Sequence, residues 1–198
     1  MLIVEINLKI LIFLDILFYM NKKKIKIAVV GSASDLNYGE DLIKIAEELG
    51  KEIAKSGNFL LCGAESHCNT LPTVAAISSK RKGGEVIGFS TSKNKIFYNK
   101  DFDPDILICT GLELGGGREF VFINSSDAVI SVNGGVGTLT EMAIAYQSNI
   151  PIFAITNSGG TSEKMSGKYF DKREIQIVRP CTDPKDAVEQ VINYFKIK

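Results

Sequence analysis

The sequence predicts an α/β protein in which a doubly wound, mostly parallel sheet is covered by helices on both faces. Three observations predict this fold class. Short, continuous apolar runs, which are typical of strands buried in a parallel sheet, recur along the chain. Longer segments with apolar residues at helical spacing alternate with them. Glycine-rich stretches follow several of the runs directly, and ligands bind at that end of the strands in such sheets.

The first half of the chain begins this alternation. The first strand is predicted in IKIAVVGSAS, an apolar run that ends in small residues. A helix over residues 39–55 follows, because Leu42, Leu49 and Ile53 fall on one helical stripe. NFLLCGA is the second strand, residues 70–82 form a helix that begins near Pro72, and GGEVIGFS is the third strand.

The second half continues it. DILICTG is the fourth strand, and the glycine-rich GLELGGG leads into a helix over about residues 118–125. DAVISVNGG is the fifth strand, residues 138–147 form the next helix, and IPIFAIT is the sixth strand. The polar residues 156–174 are predicted to form a long loop or lid, and IQIV is a short last strand. The final helix has Asp183 as its N-cap and Pro184 at its first position.

Length, charge and cysteine usage limit the class of protein. A chain of 198 residues suffices for one α/β domain, which we place at residues 21–198. The 23 basic and 23 acidic residues cancel, so the chain lacks the basic footprint of a nucleic-acid-binding protein. The four cysteines form no CxxC pair, which favours a reducing, cytoplasmic location. Cys62, His67 and Cys68 lie close in sequence, but a single histidine without a cysteine pair predicts no metal site.

Residues 1–20 form an apolar extension whose role the sequence leaves open. The run lacks the leading positive charge and the cleavage site of a signal peptide. Glu5, Lys9 and Asp15 interrupt it, which disfavours a membrane span. Three interpretations remain: a segment upstream of a true start at Met20, an added element at a sheet edge or dimer contact, and a membrane anchor.

The stretch SVNGGVGTLTE, residues 131–141, is the first candidate for chemistry. It follows the fifth strand and opens a helix, and its three glycines allow a sharp turn close to a ligand. The free N–H groups of the first helical turn can then hold a phosphate, with Glu141 one turn further on. The alternative is a plain turn followed by a solvated acid. Neither P-loop spacing nor GxGxxG is present, so no nucleoside-triphosphate or ordinary dinucleotide site is predicted. The candidate phosphate-binding residues here are Asn133, Gly134, Gly135, Val136, Gly137 and Thr138.

A second glycine-rich turn ends the neighbouring fourth strand. Gly117 closes a run of three glycines directly before Arg118. A guanidinium in this position can hold a phosphate or a ribose hydroxyl through its fork of donors. The alternative is an exposed first-turn arginine paired with a nearby acid. If the two turns face each other, a ligand would lie between Arg118 and Glu141.

These residues resemble the motif of a known family. Arg118, the step Ser126-Asp127-Ala128 and the run from Asn133 to Glu141 are similar to the arginine, serine-aspartate-alanine and PGGxGTxxE pattern of the Rossmann-like Lonely Guy family. VVGSAS resembles the first-strand loop of that family, which adds Gly31 and Ser32 to the candidate ligand-binding residues. The resemblance covers roughly residues 24–155. The sequence departs from it at Asn133, where the family has proline, and in the second-strand loop, where one glycine replaces a glycine-rich run.

The resemblance implies an activity, because members of that family are cytokinin-activating nucleoside 5′-monophosphate phosphoribohydrolases. Arg118 and Glu141 would be the catalytic residues that hydrolyse the N-glycosidic bond to a free base and ribose 5-phosphate. Glu141 would stabilise a positively charged ribose and activate water, and Arg118 would position the sugar. No metal or organic cofactor is implied. A homodimer is implied, with Tyr146 and Gln147 as candidate contact residues.

A second branch of the same SLOG superfamily contains molybdenum-cofactor carrier proteins. CTGLELGGGRE and the polar segment after the sixth strand resemble that branch, which implies a non-catalytic carrier or sensor of a nucleotide or a molybdenum-cofactor-like phosphorylated ligand. Members of the superfamily are often labelled lysine decarboxylases, but nothing in this sequence indicates a pyridoxal phosphate lysine. The sequence therefore predicts a hydrolase, with a carrier as the alternative. In both cases it predicts a small phosphorylated ligand and no nucleic-acid or membrane partner.

Overall fold

The strands lie in the predicted apolar runs, with one exception. The computed structural model describes residues 23–33, 37–64, 69–93, 102–112 and 117–197. The strands in these ranges are β1 Lys26–Gly31, β2 Phe59–Gly63, β3 Glu85–Ser90, β4 Ile106–Cys109, β5 Ala128–Val132, β6 Ile152–Ile155 and β7 Arg179–Cys181. They form one sheet in the order β4-β3-β2-β1-β5-β6-β7, and all six pairings between them are parallel.

Helices cover both faces of this sheet. They are α1 Glu40–Ser56, α2 Leu71–Arg81, α3 Arg118–Asn124, α4 Val136–Gln147, α5 Gly160–Met165 and α6 Pro184–Lys196. On one face, Ile27 of β1 packs in a core with Leu49 of α1 and Val188 of α6. On the other face, Ala28 of β1 packs in a second core with Met142 of α4. Successive strand residues thus serve opposite cores, as the two-residue period of a strand requires. The fold is the Rossmann-like, doubly wound α/β fold that the sequence predicts.

The order of the strands fixes where a ligand can bind. From β1 the chain adds strands towards one edge as far as β4, and from β5 it adds strands towards the other edge. The prediction that the fourth strand is the neighbour of the fifth is therefore wrong, because β3, β2 and β1 lie between β4 and β5. β1 and β5 are neighbours, with Gly31 paired to Val132 at their carboxyl ends. The loops that leave these two strands run in opposite directions and open a crevice between them, which is the usual ligand site of an open α/β sheet.

One helix begins earlier than predicted, and another lies in a segment for which no helix was predicted. α4 begins at Val136 rather than at residue 138, because Gly135 already caps it and accepts the Leu139 N–H at 3.0 Å. The segment predicted as a loop or lid contains α5. The predicted cap of the last helix is correct, since the Asp183 side chain accepts the Asp186 N–H at 2.9 Å.

The predicted strand in IQIV, residues 175–178, is wrong, and the last strand is β7. The Ile175 N–H donates to the hydroxyl of Tyr146 at 3.1 Å, and Gln176 Nε2 donates to the Ile150 carbonyl at 2.8 Å. The Val178 N–H donates to the Lys168 carbonyl at 2.9 Å. The first two bonds hold residues 175 and 176 at the end of α4, and the third pairs Val178 with the segment after α5, so the last strand begins only at Arg179.

Several predictions concern residues that the structure does not describe. The interpretations of residues 1–20, and the positions of His67 and Cys68, lie outside the described residues. Among the helices that are described, none combines the length and the hydropathy needed to cross a bilayer.

Candidate functional site

A cleft of about 180 Å³ lies at the carboxyl end of the sheet, at the reversal between β1 and β5. Its walls are the ends of β1 and β2 and the first turns of α2, α3 and α4. Of the residues predicted for the site, Gly31, Arg118, Gly137, Thr138 and Glu141 line it. The other described lining residues are Val29, Ala33, Gly63, Thr70, Pro72 and Glu119.

The turn at residues 133–135, here called the NGG turn, links β5 to α4. Asn133 has a φ of 55° and Gly134 a φ of 100°, both in the left-handed region. Asparagine visits that region more readily than other residues with a side chain. Gly134 has no alternative, because a Cβ there would overlap the side chain of Thr138. The Thr138 side chain therefore occupies the space in which a side chain at position 134 would lie.

Two neighbouring loops hold the NGG turn through the side chain of Asn133. Ser32, which follows β1, donates its hydroxyl to Asn133 Oδ1 at 2.5 Å and accepts the Gly134 N–H at 2.9 Å. Ser158, which follows β6, accepts the Asn133 N–H at 2.9 Å, and its carbonyl accepts Asn133 Nδ2 at 2.5 Å. Asn133 and Ser32 thus use their polar side-chain atoms within the protein. These bonds shape the turn, and the prediction that Ser32 and Asn133 also contact a ligand stays a prediction.

The carbonyl groups of the NGG turn are bound by the first turn of α5. The carbonyl of Asn133 accepts the Ser162 N–H at 2.9 Å, and that of Gly134 accepts the Thr161 N–H at 2.8 Å. The carbonyl of Gly135 accepts the Thr161 hydroxyl at 2.9 Å. Three consecutive carbonyl dipoles are therefore engaged by α5.

The first turn of α4 borders the cleft. Gly135 is its N-cap and has no side chain to cap the helix, and the first N–H groups of a helix have no acceptor within the helix. Gly137 and Thr138 belong to this turn and line the cleft. A Cβ on Gly137 would meet nothing within 4 Å, so the backbone there has open space in front of it. Val136 is 81% exposed and lies outside the cleft.

The first turn of α2 also borders the cleft, but its amides bond within the protein. The Leu71 N–H donates to the Ser32 carbonyl at 2.9 Å, and the Thr73 N–H donates to the Thr70 hydroxyl at 3.1 Å. Pro72 has no N–H to offer. Of these two helix starts, α4 is therefore the better anion site.

Arg118 lies deep in the cleft between two carboxylates. Its residue is 5% exposed. Its Nη1 lies 3.5 Å from Glu141 Oε1, and its Nη2 lies 3.6 Å from Glu119 Oε1. The guanidinium packs on the backbone of Gly63, where a Cβ would come within 2.8 Å of Nη1, and lies 5.7 Å from the ring centre of Phe122. A side chain at position 63 would therefore displace the end of Arg118 from this place in the cleft.

Part of this site was visible in the sequence and part was not. Gly117, with a φ of 121°, is the N-cap of α3 and turns the chain towards Arg118. Glu119 directly follows the predicted arginine, and that adjacency was its only signal. Ser158 and Thr161 lie in the segment predicted as a loop, where only the structure reveals their partners in the NGG turn.

Two of the cysteines in the described residues, Cys62 and Cys181, are buried in strands. Across the described ranges, no three His, Cys, Asp or Glu side chains are grouped as metal ligands would be. Cys62 is buried in β2. Burial raises the pKa of the Cys181 thiol to about 12, which leaves it a poor nucleophile.

Comparisons with known proteins match this architecture. The model of the SLOG cluster4 family matches residues 24–188. An uncharacterized protein of Archaeoglobus fulgidus is 35% identical over 125 residues, which are 63% of this chain and 76% of that protein. The molybdenum cofactor binding protein of Rippkaea orientalis superposes with a TM-score of 0.72 at 26% identity, over 88% of this chain and 99% of that one.

The molybdenum cofactor carrier protein of Chlamydomonas reinhardtii superposes with the same TM-score of 0.72 at 28% identity, again over 88% of this chain and 99% of that one. The resemblance to the SLOG branch that contains such carriers is thereby confirmed. Because the family model spans most of the 198 residues, the chain belongs to the SLOG cluster4 family.

Proposed function

We propose that this protein binds a small phosphorylated ligand in the cleft between β1 and β5, and that it carries or senses this ligand. The observation that supports the proposal is the orientation of the NGG turn. Its carbonyls bond to α5, while the first turn of α4 lines the cleft with Gly137 and Thr138. N–H groups and the positive end of a helix dipole favour a phosphate at this position.

The solved relatives support a carrier. Two of them are a molybdenum cofactor binding protein and a molybdenum cofactor carrier protein, each covered over 99% of its length. The organic part of that cofactor bears a phosphate, for which the first turn of α4 offers a matching site. As cargo, the cofactor would place this phosphate at Gly137 and Thr138 and the rest of the molecule towards Arg118.

Hydrolysis of a nucleoside monophosphate is the second candidate function. One observation favours it: Glu141 and Arg118 lie 3.5 Å apart in the cleft, one turn beyond the α4 amides. In such a reaction water attacks the anomeric carbon, the C–N bond breaks, and the base leaves with the electron pair and takes up a proton. Glu141 would receive the proton of the water and stabilise the positively charged ribose.

We also infer that the protein is a homodimer. α3 and α4 together expose four apolar side chains, here called the α3/α4 face: Phe120, Val121, Val136 and Leu139. The charged residues of the two helices are Arg118, Glu119 and Glu141, which are all buried at the cleft. When two copies of this face meet across a twofold axis, apolar side chains contact apolar side chains and no unpaired charge is buried, which favours a dimer through this face.

A binding experiment with Gly137→Ala tests the proposed site. The new methyl group would occupy the space through which a phosphate approaches the α4 amides. We expect inorganic phosphate and AMP, titrated by calorimetry, to bind at least tenfold more weakly, which is about 1.4 kcal/mol. Thr140→Ala, on an exposed position of the same helix, is the matched control and should bind as the wild type does. Unchanged binding by Gly137→Ala would contradict the proposed site.

A parallel assay separates the carrier from the hydrolase. Wild type, Glu141→Gln and Arg118→Ala are incubated with nucleoside monophosphates, and free base is followed by chromatography. If the protein is a carrier, no base is released. The wild type should then retain isolated molybdenum cofactor, measured as protein-bound molybdenum, and Gly137→Ala should not retain it. Release that both Glu141→Gln and Arg118→Ala abolish would establish the hydrolase instead.

A further inference from the structure

A single stretch of chain, residues 158–176, contacts both ends of α4. It follows β6, forms α5 and ends shortly before β7. Its first part bonds to the NGG turn, which precedes α4, and its last part bonds to residues at the end of that helix. We call this stretch the α4 brace. Because Gly137, Thr138 and Glu141 of α4 line the cleft, the brace contacts the helix on which the proposed anion site depends.

At its near end, the α4 brace fixes the backbone of the NGG turn. The Asn133 N–H donates to the Ser158 hydroxyl at 2.9 Å. The Thr161 N–H donates to the Gly134 carbonyl at 2.8 Å, and the Ser162 N–H donates to the Asn133 carbonyl at 2.9 Å. These bonds join backbone groups that cannot rotate independently of the turn. A shift of α5 would therefore move the turn and the first turn of α4 that follows it.

At its far end, the α4 brace is held by the hydroxyl of Tyr146. This residue is the last but one of α4 and is 1% exposed. The hydroxyl donates to Asp171 Oδ1 at 3.0 Å and accepts the Ile175 N–H at 3.1 Å. The ring centre lies 5.0 Å from that of Phe170. The hydroxyl thus uses both its donor and its acceptor capacity on the brace.

Between its ends, the α4 brace is packed and hydrogen-bonded. Met165, the last residue of α5, packs against the core to which α4 contributes. Beyond α5, the Gly167 N–H donates to the Val178 carbonyl and the Val178 N–H donates to the Lys168 carbonyl, both at 2.9 Å. These two bonds close residues 167–178 into a compact loop. Contiguous packing and hydrogen bonds of this kind couple distant positions energetically.

We propose that Tyr146 is a positioning residue, whose hydroxyl fixes the NGG turn through the α4 brace and thereby sets the affinity of the anion site. The inference rests on the proposed binding function and adds a residue on which the same site depends. Tyr146 lies nine residues after Gly137 on α4, which is about 14 Å along a helix. It is therefore too far away to contact a phosphate at the first turn, and it acts only through the brace.

Calorimetry on Tyr146→Phe tests the effect on affinity. The substitution keeps the ring and its packing on Phe170 and removes the hydroxyl. We expect inorganic phosphate to bind about threefold to tenfold more weakly to the folded variant. Tyr169→Phe, which removes the hydroxyl of an exposed tyrosine of the same loop, is the matched control and should bind as the wild type does. If Tyr146→Phe does not fold, Asp171→Ala removes the acceptor of the same hydroxyl and should weaken binding likewise. Unchanged phosphate affinity in the folded variant would overturn the inference, because a merely structural role lowers stability without changing the affinity of the folded protein.

Amide hydrogen exchange tests the connection without any ligand. If the Tyr146 hydroxyl holds the α4 brace, its removal should accelerate exchange about threefold or more at Thr161 and Ser162, whose N–H groups bond to the NGG turn. The Gly57 N–H, at the end of α1 on the other face of the sheet, should exchange as in the wild type. Unchanged exchange at Thr161 and Ser162 would refute the connection. Equal acceleration at Gly57 would mean a general loss of stability and would also count against it.

The outcomes separate this inference from the proposed function. If Gly137→Ala loses phosphate binding and Tyr146→Phe keeps it, the anion site stands and the positioning role of Tyr146 fails. If the wild type binds no phosphate but Tyr146→Phe accelerates exchange at Thr161, the proposed function fails, whereas the connection between Tyr146 and the NGG turn stands.

Discussion

At the scale of single residues, Asn133 is the centre of the candidate site although it donates nothing to the cleft. It has the left-handed conformation that ends β5, and its side chain bonds to Ser32 on one side and Ser158 on the other. A proline at this position, as in the Lonely Guy pattern, has no side-chain amide to make these bonds, and its φ is fixed near −65°. The turn of this chain is therefore built on a different set of contacts.

Thr161 offers a test of how far these contacts affect binding. Its hydroxyl donates to the Gly135 carbonyl at 2.9 Å. Thr161→Val keeps the shape and removes the donor, so we expect a loss of about 1 kcal/mol in the free energy of unfolding. Phosphate affinity should also fall severalfold, because the Gly135 carbonyl, which then keeps only the Leu139 N–H, lies next to the α4 amides. Thr161→Ser retains the hydroxyl and should behave like the wild type in both calorimetry and thermal unfolding. Equal phosphate affinity in all three proteins would show that this bond serves stability alone.

The residues of the site divide by how they could be predicted. Gly137, Thr138 and Glu141 follow from spacing, because a glycine-rich turn and the first helical turn after it occupy a fixed geometry. Gly63 and Thr161 do not, because their roles depend on side chains far away in sequence: Gly63 makes room for Arg118, and Thr161 reaches the NGG turn. Propensity and periodicity contain no information on such contacts.

At the scale of elements, two helical glycines should respond oppositely to the same substitution. Helix propensity alone favours alanine over glycine by up to about 1 kcal/mol at each. On Gly137 of α4 a Cβ meets nothing within 4 Å, whereas on Gly50 of α1 it would overlap the carbonyl of Ala75 in α2. We expect Gly137→Ala to raise the free energy of unfolding slightly, and Gly50→Ala to lower it by about 1–3 kcal/mol through overpacking. Urea unfolding measures both, and stabilisation by Gly50→Ala would contradict the close packing of α1 on α2.

The segment after α5 should loosen in acid. Asp171 accepts hydrogen bonds from Arg173 and from the Tyr146 hydroxyl, and these bonds lower the pKa of its carboxyl from 3.8 to about 2. A carboxyl with a lowered pKa in the folded state stabilises that state above its unfolded pKa, and the stabilisation is lost as pH falls through the folded pKa. The difference in melting temperature between wild type and Asp171→Asn should therefore be full above about pH 4 and vanish near pH 2. A difference that does not change with pH over this range would exclude the carboxylate as its cause.

The same segment explains the one strand that was predicted in the wrong place. IQIV has the apolar alternation of a strand, but Ile175 is 42% exposed and Gln176 is buried, so the polar residue faces the core. Gln176 is accommodated because its amide donates to the carbonyls of Ala145 and Ile150 at the end of α4. Alternation reveals the period of a segment but not which of its two faces is inside.

At the scale of the whole molecule, topology determines the location of the site. The alternation of strands and helices predicts a ligand site at the carboxyl ends of the strands, and the cleft lies at that end. It does not predict the order of the strands, in which β1 and not β4 is the neighbour of β5. The sequence could not reveal that α5 contacts the NGG turn. That contact arises because β6, which precedes α5, pairs with β5, which precedes the turn. Strand neighbours arise from the assembled sheet and not from any local pattern.

The exposed α3/α4 face leads to a prediction about the oligomeric state of the protein. Phe120 is 58% exposed on α3, which packs against α4, and Val121, Val136 and Leu139 are the other exposed apolar side chains of these two helices. Phe120→Glu places a charge where two apolar faces would meet, and burying it unpaired would cost more than such a contact gains. We expect the wild type to have twice the 21.6 kDa mass of the chain in light scattering after gel filtration, and Phe120→Glu to be monomeric. Tyr169→Glu, an exposed aromatic residue outside this face, should remain dimeric. A monomeric wild type would contradict the inferred homodimer, and a dimer unaffected by Phe120→Glu would mean that the two copies meet through another surface.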